Sequence, residues 1–307
     1  MSAQGSTEQD EREPGPASLP WPDGYTAAAS FSFDVDAESC VLAQDPAAVR
    51  RMSLMGFHSY GPRVAVPRLL RILDRQQVRA SFFVPGFTAD CYPDTVRAIV
   101  AHGHEVAHHG YFHEPMQGID AETEARYIDR GLAALDRVGV RPVGYRAPWW
   151  EMNWHTPGLL AERDFLYDSS LLDEDVPYRF TTPSGELVEI PIDWALDDWE
   201  QYGFYPGFTG SGLIESPAKA LEMWRLDAEA RHAEGGCFVL TNHPFLSGRP
   251  SRAAALERLI EAVRELDGIW VTTLEEIARH AATHAEHRVH MRYQVPTFPD
   301  VDVRAGP

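Results

Sequence analysis

Three kinds of feature are scarce in this sequence, and each scarcity argues against a class of protein. Three of the 307 residues are cysteine, an odd number without close spacing, which weighs against a disulfide framework or a cysteine-based zinc site. No apolar run approaches the ~18 residues that a membrane-spanning helix requires. Lysine and arginine number 27 against 46 acidic residues, and the net charge of −19 argues against nucleic acid or an anionic membrane as a partner.

The ends of the chain differ in composition from its middle. Residues 1–24 are polar, acidic and rich in proline, glycine and serine, without the basic-then-apolar order of a secretion signal. We therefore expect a disordered tail on a cytoplasmic protein. Apolar residues make up 44% of the sequence and no composition break marks a second domain. One domain over residues 25–287 and an irregular tail over residues 288–307 are the expected organisation.

Short apolar runs alternate with amphipathic segments about seven times in this domain. The expected strands are Ala27–Phe33, Ala80–Val84, Glu105–Ala107, Pro142–Tyr145, Leu187–Ile190, Cys237–Leu240 and Ile269–Val271. The alternation predicts an α/β fold with a parallel sheet and outer helices, most simply a distorted (β/α)7-type barrel. Residues 38–61 lack the pattern and are expected to form a long irregular segment, which in a compact domain is more often functional than a plain connection.

A histidine-rich run contains the pair His109 and His113, four residues apart. Two imidazoles at this spacing converge on one point if the backbone makes a single turn, and imidazole suits zinc and neighbouring transition metals. Such a run is often only a solvated loop. However, the carboxylates Asp34 and Asp36 follow the first expected strand. Two histidines and one aspartate leave coordination positions open, as a catalytic metal requires.

Further polar residues also follow expected strands or apolar runs. They are Arg146, Asp168 and His243. In a β/α barrel, the carboxyl ends of the strands converge on one face, so all these side chains are expected to meet there. For any single histidine after a strand, a structural role remains the commoner alternative.

Taken together, these residues resemble the polysaccharide deacetylase family, also called the NodB-homology or carbohydrate esterase 4 family. The resemblance covers roughly residues 26–285, and its four motifs are Phe33–Asp36, His109–His113, Arg146–Trp149 and Leu240–His243. Within the family, the chain is similar to the branch of intracellular peptidoglycan-deacetylase-like and PuuE-type allantoinase-like proteins. Val35 separates two acids that are usually adjacent, and Gly110 replaces the usual serine or threonine; these departures put a polysaccharide substrate in doubt.

The resemblance implies a role for each site residue. Asp36, His109 and His113 would hold one divalent metal ion, zinc or alternatively cobalt or nickel. Asp34 would act as the base, oriented by Arg146, while His243 would protonate the departing amine. The backbone N–H of Trp149 would help to stabilise the oxyanion. Asp168 is the first candidate to orient His243, with Asp193 and Asp198 as competitors.

The substrate is less constrained than the chemistry. Trp149, Trp150 and further tryptophans form either core packing or an aromatic wall for a flat or sugar-like substrate. Further candidate substrate contacts are Asp197, Asp198, Tyr60 and Arg63. We expect a metal-dependent hydrolase of a small-molecule or glycan amide, most simply an N-deacetylase, and a homo-oligomer. The alternatives are a cyclic-amide or ureide hydrolase, with metal need left open, and a non-catalytic glycan-binding barrel.

Overall fold

The computed structural model describes residues 19–204 and 214–288. These residues form ten strands: β1 (Ala27–Asp34), β2 (Ser81–Val84), β3 (Glu105–His108), β4 (Gly144–Tyr145), β5 (Tyr167–Asp168), β6 (Tyr178–Thr182), β7 (Gly185–Glu189), β8 (Cys237–Asn242), β9 (Ile269–Val271) and β10 (His287–Arg288). The predicted tails fall mostly outside the described residues. Leu19 is buried and the Trp21 indole donates to the carbonyl of Gly235, so residues that precede β1 already pack against the domain.

Helices follow most of the strands. They are α1 (Ser39–Leu42), α2 (Met52–Tyr60), α3 (Val66–Gln76), α4 (Gly86–Cys91), α5 (Pro93–Ala101), α6 (Ala121–Asp136), α7 (Thr156–Ala161), α8 (Asp198–Tyr202), α9 (Pro217–Glu234), α10 (Pro244–Ser247), α11 (Pro250–Arg264) and α12 (Leu274–His284). Short 3₁₀ helices cover Pro46–Arg50, Pro148–Trp150 and Trp194–Leu196. In the part of the chain described, no helix has the length and apolarity that crossing a membrane requires.

The strands form one curled sheet in the order β10-β6-β7-β5-β4-β3-β2-β1-β8, with β9 paired to β1. All described pairs are parallel except the β6–β7 hairpin, which the predicted purely parallel sheet did not include. The predicted α/β barrel-like class is thus confirmed, as a mixed sheet curled into a half-barrel. An isolated bridge from Asp197 to Thr241 adds a contact beside the outer edge of β8.

Strand β1 pairs with three other strands and is buried at every position. One edge pairs with β8, while the other pairs with β9 near its start and with β2 near its end. The Phe33 and Phe82 rings of β1 and β2 stack with centroids 4.8 Å apart. Burying one such side chain contributes about 1.5–3 kcal/mol to folding. This apolar packing fixes the strand end that carries Asp34.

The expectation of an irregular segment over residues 38–61 is wrong. This stretch contains α1, the 3₁₀ helix Pro46–Arg50 and α2, and a π-helical turn, Gly61–Ala65, continues α2 directly into α3. Gly61 lies against α10, where an added Cβ would come within 3.3 Å of the Phe245 nitrogen. Tertiary packing therefore stabilises a helix that the local pattern did not indicate.

Side-chain caps fix the starts of two helices, α6 and α12. The Asp120 side chain accepts from the Thr123 N–H at 2.8 Å and caps α6. The Thr273 hydroxyl accepts from the Glu276 N–H at 3.3 Å and caps α12. Both contacts satisfy N–H groups that lack a partner within the helix.

Candidate active site

The side chains of Asp36, His109 and His113 meet beyond the ends of β1 and β3. Each offers one ligand atom, and the three atoms lie within 4.8 Å of one another. The Asp36 carboxylate is 3.5 Å from Nε2 of His109 and 3.6 Å from Nε2 of His113. Tetrahedral coordination at about 2.0–2.1 Å places ligand atoms about 3.3–3.4 Å apart, which is close to these separations. The arrangement therefore fits one small divalent cation.

The hydrogen bonds and pKa values of the triad residues suit a cation. Nδ1 of His109 donates to the carbonyl of Arg146 at 2.7 Å, which directs the lone pair of Nε2 toward Asp36. Burial lowers the pKa of His109 to about 3, so its imidazole is neutral near neutral pH. Burial and the neighbouring carboxylates Asp34 and Asp198 raise the pKa of Asp36 to about 7, against attraction from His243. Oδ1 of Asp36 is buried without a hydrogen-bond partner among the described residues, so this oxygen is available as a ligand atom.

Arg146 holds Asp34 beside the triad. Its Nη1 donates to Oδ1 of Asp34 at 2.8 Å and to the Ser32 hydroxyl at 2.9 Å. The guanidinium is fully buried and lies 4.0 Å above the centre of the Phe83 ring. Oδ2 of Asp34 is left 3.9 Å from Nε2 of His109. One carboxylate oxygen is thus anchored, while the other borders the triad.

His243, which follows β8, also lies beside the triad. Its Nε2 is 3.6 Å from the Asp36 carboxylate. Its Nδ1 donates to Oδ1 of Asp198 at 2.7 Å and lies 3.5 Å from Asp197. Burial alone would lower the pKa of His243, but attraction to Asp197 and the hydrogen bond to Asp198 raise it well above its ordinary value.

The prediction that Asp168 orients His243 is wrong. Nδ1 of His243 is occupied by Asp198, and the Asp168 carboxylate instead accepts from the Ser170 hydroxyl at 2.8 Å. Asp198 was also expected to contact substrate. It is fully buried, and its second oxygen accepts from the Ser247 N–H at 3.1 Å, so it supports His243.

The groups described above surround a cavity of about 170 Å³. Its lining residues are Asp34, Asp36, Cys40, His109, His113, Trp149, Trp150, Trp194, Asp197, Trp199, Glu200 and His243. Acidic and aromatic side chains form its wall, and Arg146 lies behind them.

Trp149 and Trp150 follow β4 with left-handed backbone angles, φ being 63° and 57°. Non-glycine residues adopt this region rarely, and such angles are common at functional sites. The Trp149 ring meets the His113 ring edge to face at 4.9 Å, and Trp150 stacks on Trp194 at 4.4 Å. Trp150 is largely buried and both rings line the cavity, while their contact with a substrate stays a prediction.

Two predicted substrate contacts do not line this cavity, namely Tyr60 and Arg63. The Tyr60 hydroxyl accepts from Arg68 at 2.6 Å, and its ring packs under the Arg249 guanidinium. Arg63 is an exposed residue of the π-helical turn. The helical continuation of α2 into α3 explains both positions, because a loop that could reach the cavity is absent over the described residues 52–76.

Sequence reasoning missed two residues of the cavity wall, Cys40 and Glu200. Sγ of Cys40 lies 3.5 Å from Nδ1 of His58, and burial raises the pKa of the thiol well above its ordinary value. This contact joins α1 to α2, inside the segment expected to be irregular. Glu200 belongs to α8, immediately after Trp199, and the nearby tryptophans Trp194 and Trp199 are the sequence signal that could have indicated it.

Comparison with known proteins places the chain in a family. The sequence model of polysaccharide deacetylases matches residues 44–162. A peptidoglycan deacetylase of Helicobacter pylori is 30% identical over 246 residues, which cover 71% of this chain and 84% of that protein. A crystal structure from Mycobacterium smegmatis, assigned to the polysaccharide deacetylases, is 55% identical with a TM-score of 0.88, covering 92% of this chain and 100% of the other.

A second similar structure is named for a different activity. The crystal structure of PuuE allantoinase is 27% identical with a TM-score of 0.77, covering 90% of this chain and 99% of that one. Both named activities break carbon–nitrogen bonds outside peptides. The chain belongs to the polysaccharide deacetylase family and is a hydrolase of carbon–nitrogen bonds other than peptide bonds.

Proposed function

We propose that the protein is a metal-dependent N-deacetylase that uses Asp36, His109 and His113 to hold one divalent cation. The observation that carries the proposal is the arrangement of this triad between the Arg146–Asp34 pair and the His243–Asp198 pair around one cavity. Nitrogen-rich ligands favour zinc, with cobalt or nickel as alternatives. Cytoplasmic location and homo-oligomerisation stay predictions.

A cation at the triad would polarise an amide carbonyl and make an attacking water more acidic. Asp34 is the residue that we assign as general base. Its Oδ1 is held by Arg146, so Oδ2 is the oxygen that can take a proton beside the triad. Because the Arg146 guanidinium is planar and is held by several hydrogen bonds, it orients the Asp34 carboxylate and also balances its charge.

His243 is the residue that we assign as general acid. Its raised pKa keeps the imidazole protonated near neutral pH, and Nε2 is the nitrogen that borders the cavity. Asp198 fixes the ring, since it accepts from both Nδ1 and the backbone N–H of His243. Proton transfer from Nε2 of His243 to the departing amine would accelerate the reaction by about 10²–10⁴-fold.

The oxyanion of the tetrahedral intermediate would lie near the end of β4. We assign the backbone N–H of Trp149 as a donor to it, because the left-handed turn at Trp149 directs this segment along the cavity wall. A fixed backbone donor of this kind stabilises developing charge without reorganisation.

The substrate that fits best is an N-acetylated amine, such as an amino sugar. The named activity of the Helicobacter pylori relative supports a glycan amide, and the tryptophans of the cavity wall suit the apolar faces of a sugar ring. The similarity to PuuE allantoinase supports a second candidate, a cyclic amide or ureide. A non-catalytic glycan-binding role is disfavoured because the base, the acid and the candidate ligands all surround the cavity.

The test is turnover of a panel of N-acetyl sugars, acetylated amines and cyclic ureides, with zinc added or chelated. We expect acetate release from acetylated amines that is lost on chelation and restored by zinc. Asp34→Asn, prepared in parallel, controls for contaminating hydrolase. Full activity on ureides after chelation, without acetate release, would overturn the proposal in favour of the second candidate.

A further inference from the structure

Two buried carboxyl groups face each other behind the active site. Asp168 of β5 and Glu189 of β7 are partners in the register of these parallel strands, and both side chains are fully buried. They lie within hydrogen-bonding reach of each other. The proposed catalytic steps use neither of them, so their burial needs a separate explanation.

One oxygen of each group has donors, and the other has none. Oδ1 of Asp168 accepts from the Ser170 hydroxyl at 2.8 Å, and Oε1 of Glu189 accepts from the N–H groups of Ser170 at 3.2 Å and Leu171 at 3.0 Å. Oδ2 of Asp168 and Oε2 of Glu189 are buried without a partner. Two ionised carboxylates cannot donate to each other, whereas one proton between them satisfies both oxygens.

The charges nearby also require a proton. Arg146 is the cation that attracts Asp168, but its guanidinium is already paired with Asp34. Ionising both members of the buried pair would therefore leave a negative charge without compensation, which is costly in a dry interior. Burial and the adjacent Asp168 raise the pKa of Glu189 well above its ordinary value. One proton held between the two carboxyl groups removes this uncompensated charge.

The pair is connected to the catalytic base through the segment that follows β5. Nε and Nη2 of Arg146 donate to the carbonyl and hydroxyl of Ser169, at 3.0 Å and 3.1 Å. The Ser170 hydroxyl, which donates to Asp168, also accepts from the Ala147 N–H at 2.8 Å. The segment that binds Arg146 is thus fixed in place by the two carboxyl groups.

We propose that Asp168 and Glu189 share one proton and that this pair positions Arg146, and through it Asp34, for catalysis. Asp168 is then a positioning residue, which acts on Arg146 instead of on His243. The inference rests on the proposed role of Asp34 as base. An error of about 1 Å in placing such a group can cost about 10²-fold in rate.

Kinetics of three variants test the positioning role. Glu189→Gln keeps an acceptor for Ser170 and Leu171 and a donor for Asp168, so we expect kcat close to that of the native enzyme. Glu189→Leu removes both and should lower kcat about 10²-fold, with KM and metal content retained. Glu105→Leu is the matched control: Glu105 is buried at the start of β3, bonded to Ser81 and Tyr167, and its loss should reduce stability without changing kcat.

Infrared spectroscopy of the resting protein tests the shared proton without relying on activity. The spectrum of the native protein minus that of Glu189→Gln should contain the C=O stretch of a protonated carboxylic acid near neutral pH. Should Glu189→Leu not fold, Ser170→Ala interrupts the same connection and should lower kcat. Absence of the infrared band, or full kcat in Ser170→Ala, overturns the inference. Failure of every variant and of the native protein to hydrolyse amides would instead count against the proposed function.

Discussion

Asp198 accepts two hydrogen bonds from His243, one from Nδ1 at 2.7 Å and one from the backbone N–H at 2.9 Å. The two bonds fix both the position and the tautomer of the imidazole. Because Nδ1 carries a proton and faces Asp198, Nε2 is the nitrogen directed toward Asp36 and the cavity. The carboxylate also stabilises the imidazolium, which keeps His243 charged.

The first prediction concerns a variant that lacks the Asp198 carboxylate. Asp198→Asn should lower kcat/KM by about 10²–10⁴, because the amide neither stabilises the imidazolium nor fixes the ring as firmly. The basic limb of the pH profile should move to lower pH as the pKa of His243 falls. Asp193→Asn is the control, since Asp193 caps the turn at Ala195 and binds Arg231 instead of His243. Equal losses in both variants would contradict the assignment.

The positions of the candidate site residues could be predicted from the sequence because they depend on strand ends. Asp36, His109 and Arg146 each follow a short apolar run, and parallel strands bring such residues to one edge. Asp168 also ends a short apolar run, so the sequence could not distinguish it from Asp198. The difference arises from side-chain direction: Asp168 points toward Glu189, while Asp197 and Asp198 arrive at the start of α8.

The helical course of residues 39–65 could not be predicted for a related reason. Gly56, His58 and Tyr60 are weak helix formers, and the stretch lacks a regular apolar spacing. Its helices depend on distant contacts, such as the His58 ring against Phe245 at 4.6 Å. The inclusion of Cys40 in the cavity wall follows from the same packing, and no local motif indicates it.

The second prediction concerns the candidate metal ligands. His109→Ala should lose bound zinc and nearly all activity while keeping the fold, because one of three ligands is gone. His102→Ala is a matched control from the same histidine-rich run, since His102 is partly exposed and pairs with Asp74. Elemental analysis after dialysis against zinc measures the outcome. Stoichiometric zinc in His109→Ala would show that the triad is not the site.

The third prediction is acid destabilisation by buried histidines. Burial lowers the pKa of His58 and of His104 to about 4, whereas an unfolded histidine titrates near ~6.5. Between these values the unfolded chain binds more protons, so the stability from these groups is complete above ~6.5 and is lost as pH falls toward about 4. Each histidine contributes a slope of up to ~1.4 kcal/mol per pH unit.

Urea unfolding at several pH values measures this slope. His104→Asn keeps an acceptor near Nδ1, which receives the Ala80 N–H at 3.2 Å, but removes the titrating ring. Its unfolding free energy should therefore fall less steeply with decreasing pH than that of the native protein. An unchanged slope would show that His104 is already protonated, or exposed, in the folded state.

The last prediction separates the base from the acid. Asp34→Asn should abolish turnover but retain zinc, because Asp34 borders the triad while Asp36 supplies the ligand oxygen. His243→Ala should lose about 10²–10⁴ in kcat/KM and flatten the basic limb of the pH profile, since the group that must stay protonated is gone. The raised pKa of His243 places that limb above neutral pH in the native enzyme. The loss should shrink for amides whose leaving amine is weakly basic, because such an amine departs with less need of a proton. If His243→Ala is equally slow on every amide and keeps the basic limb, another group donates the proton. Asp197 is then the next candidate, because its carboxylate lies 3.5 Å from Nδ1 of His243 and burial raises its pKa to about 7.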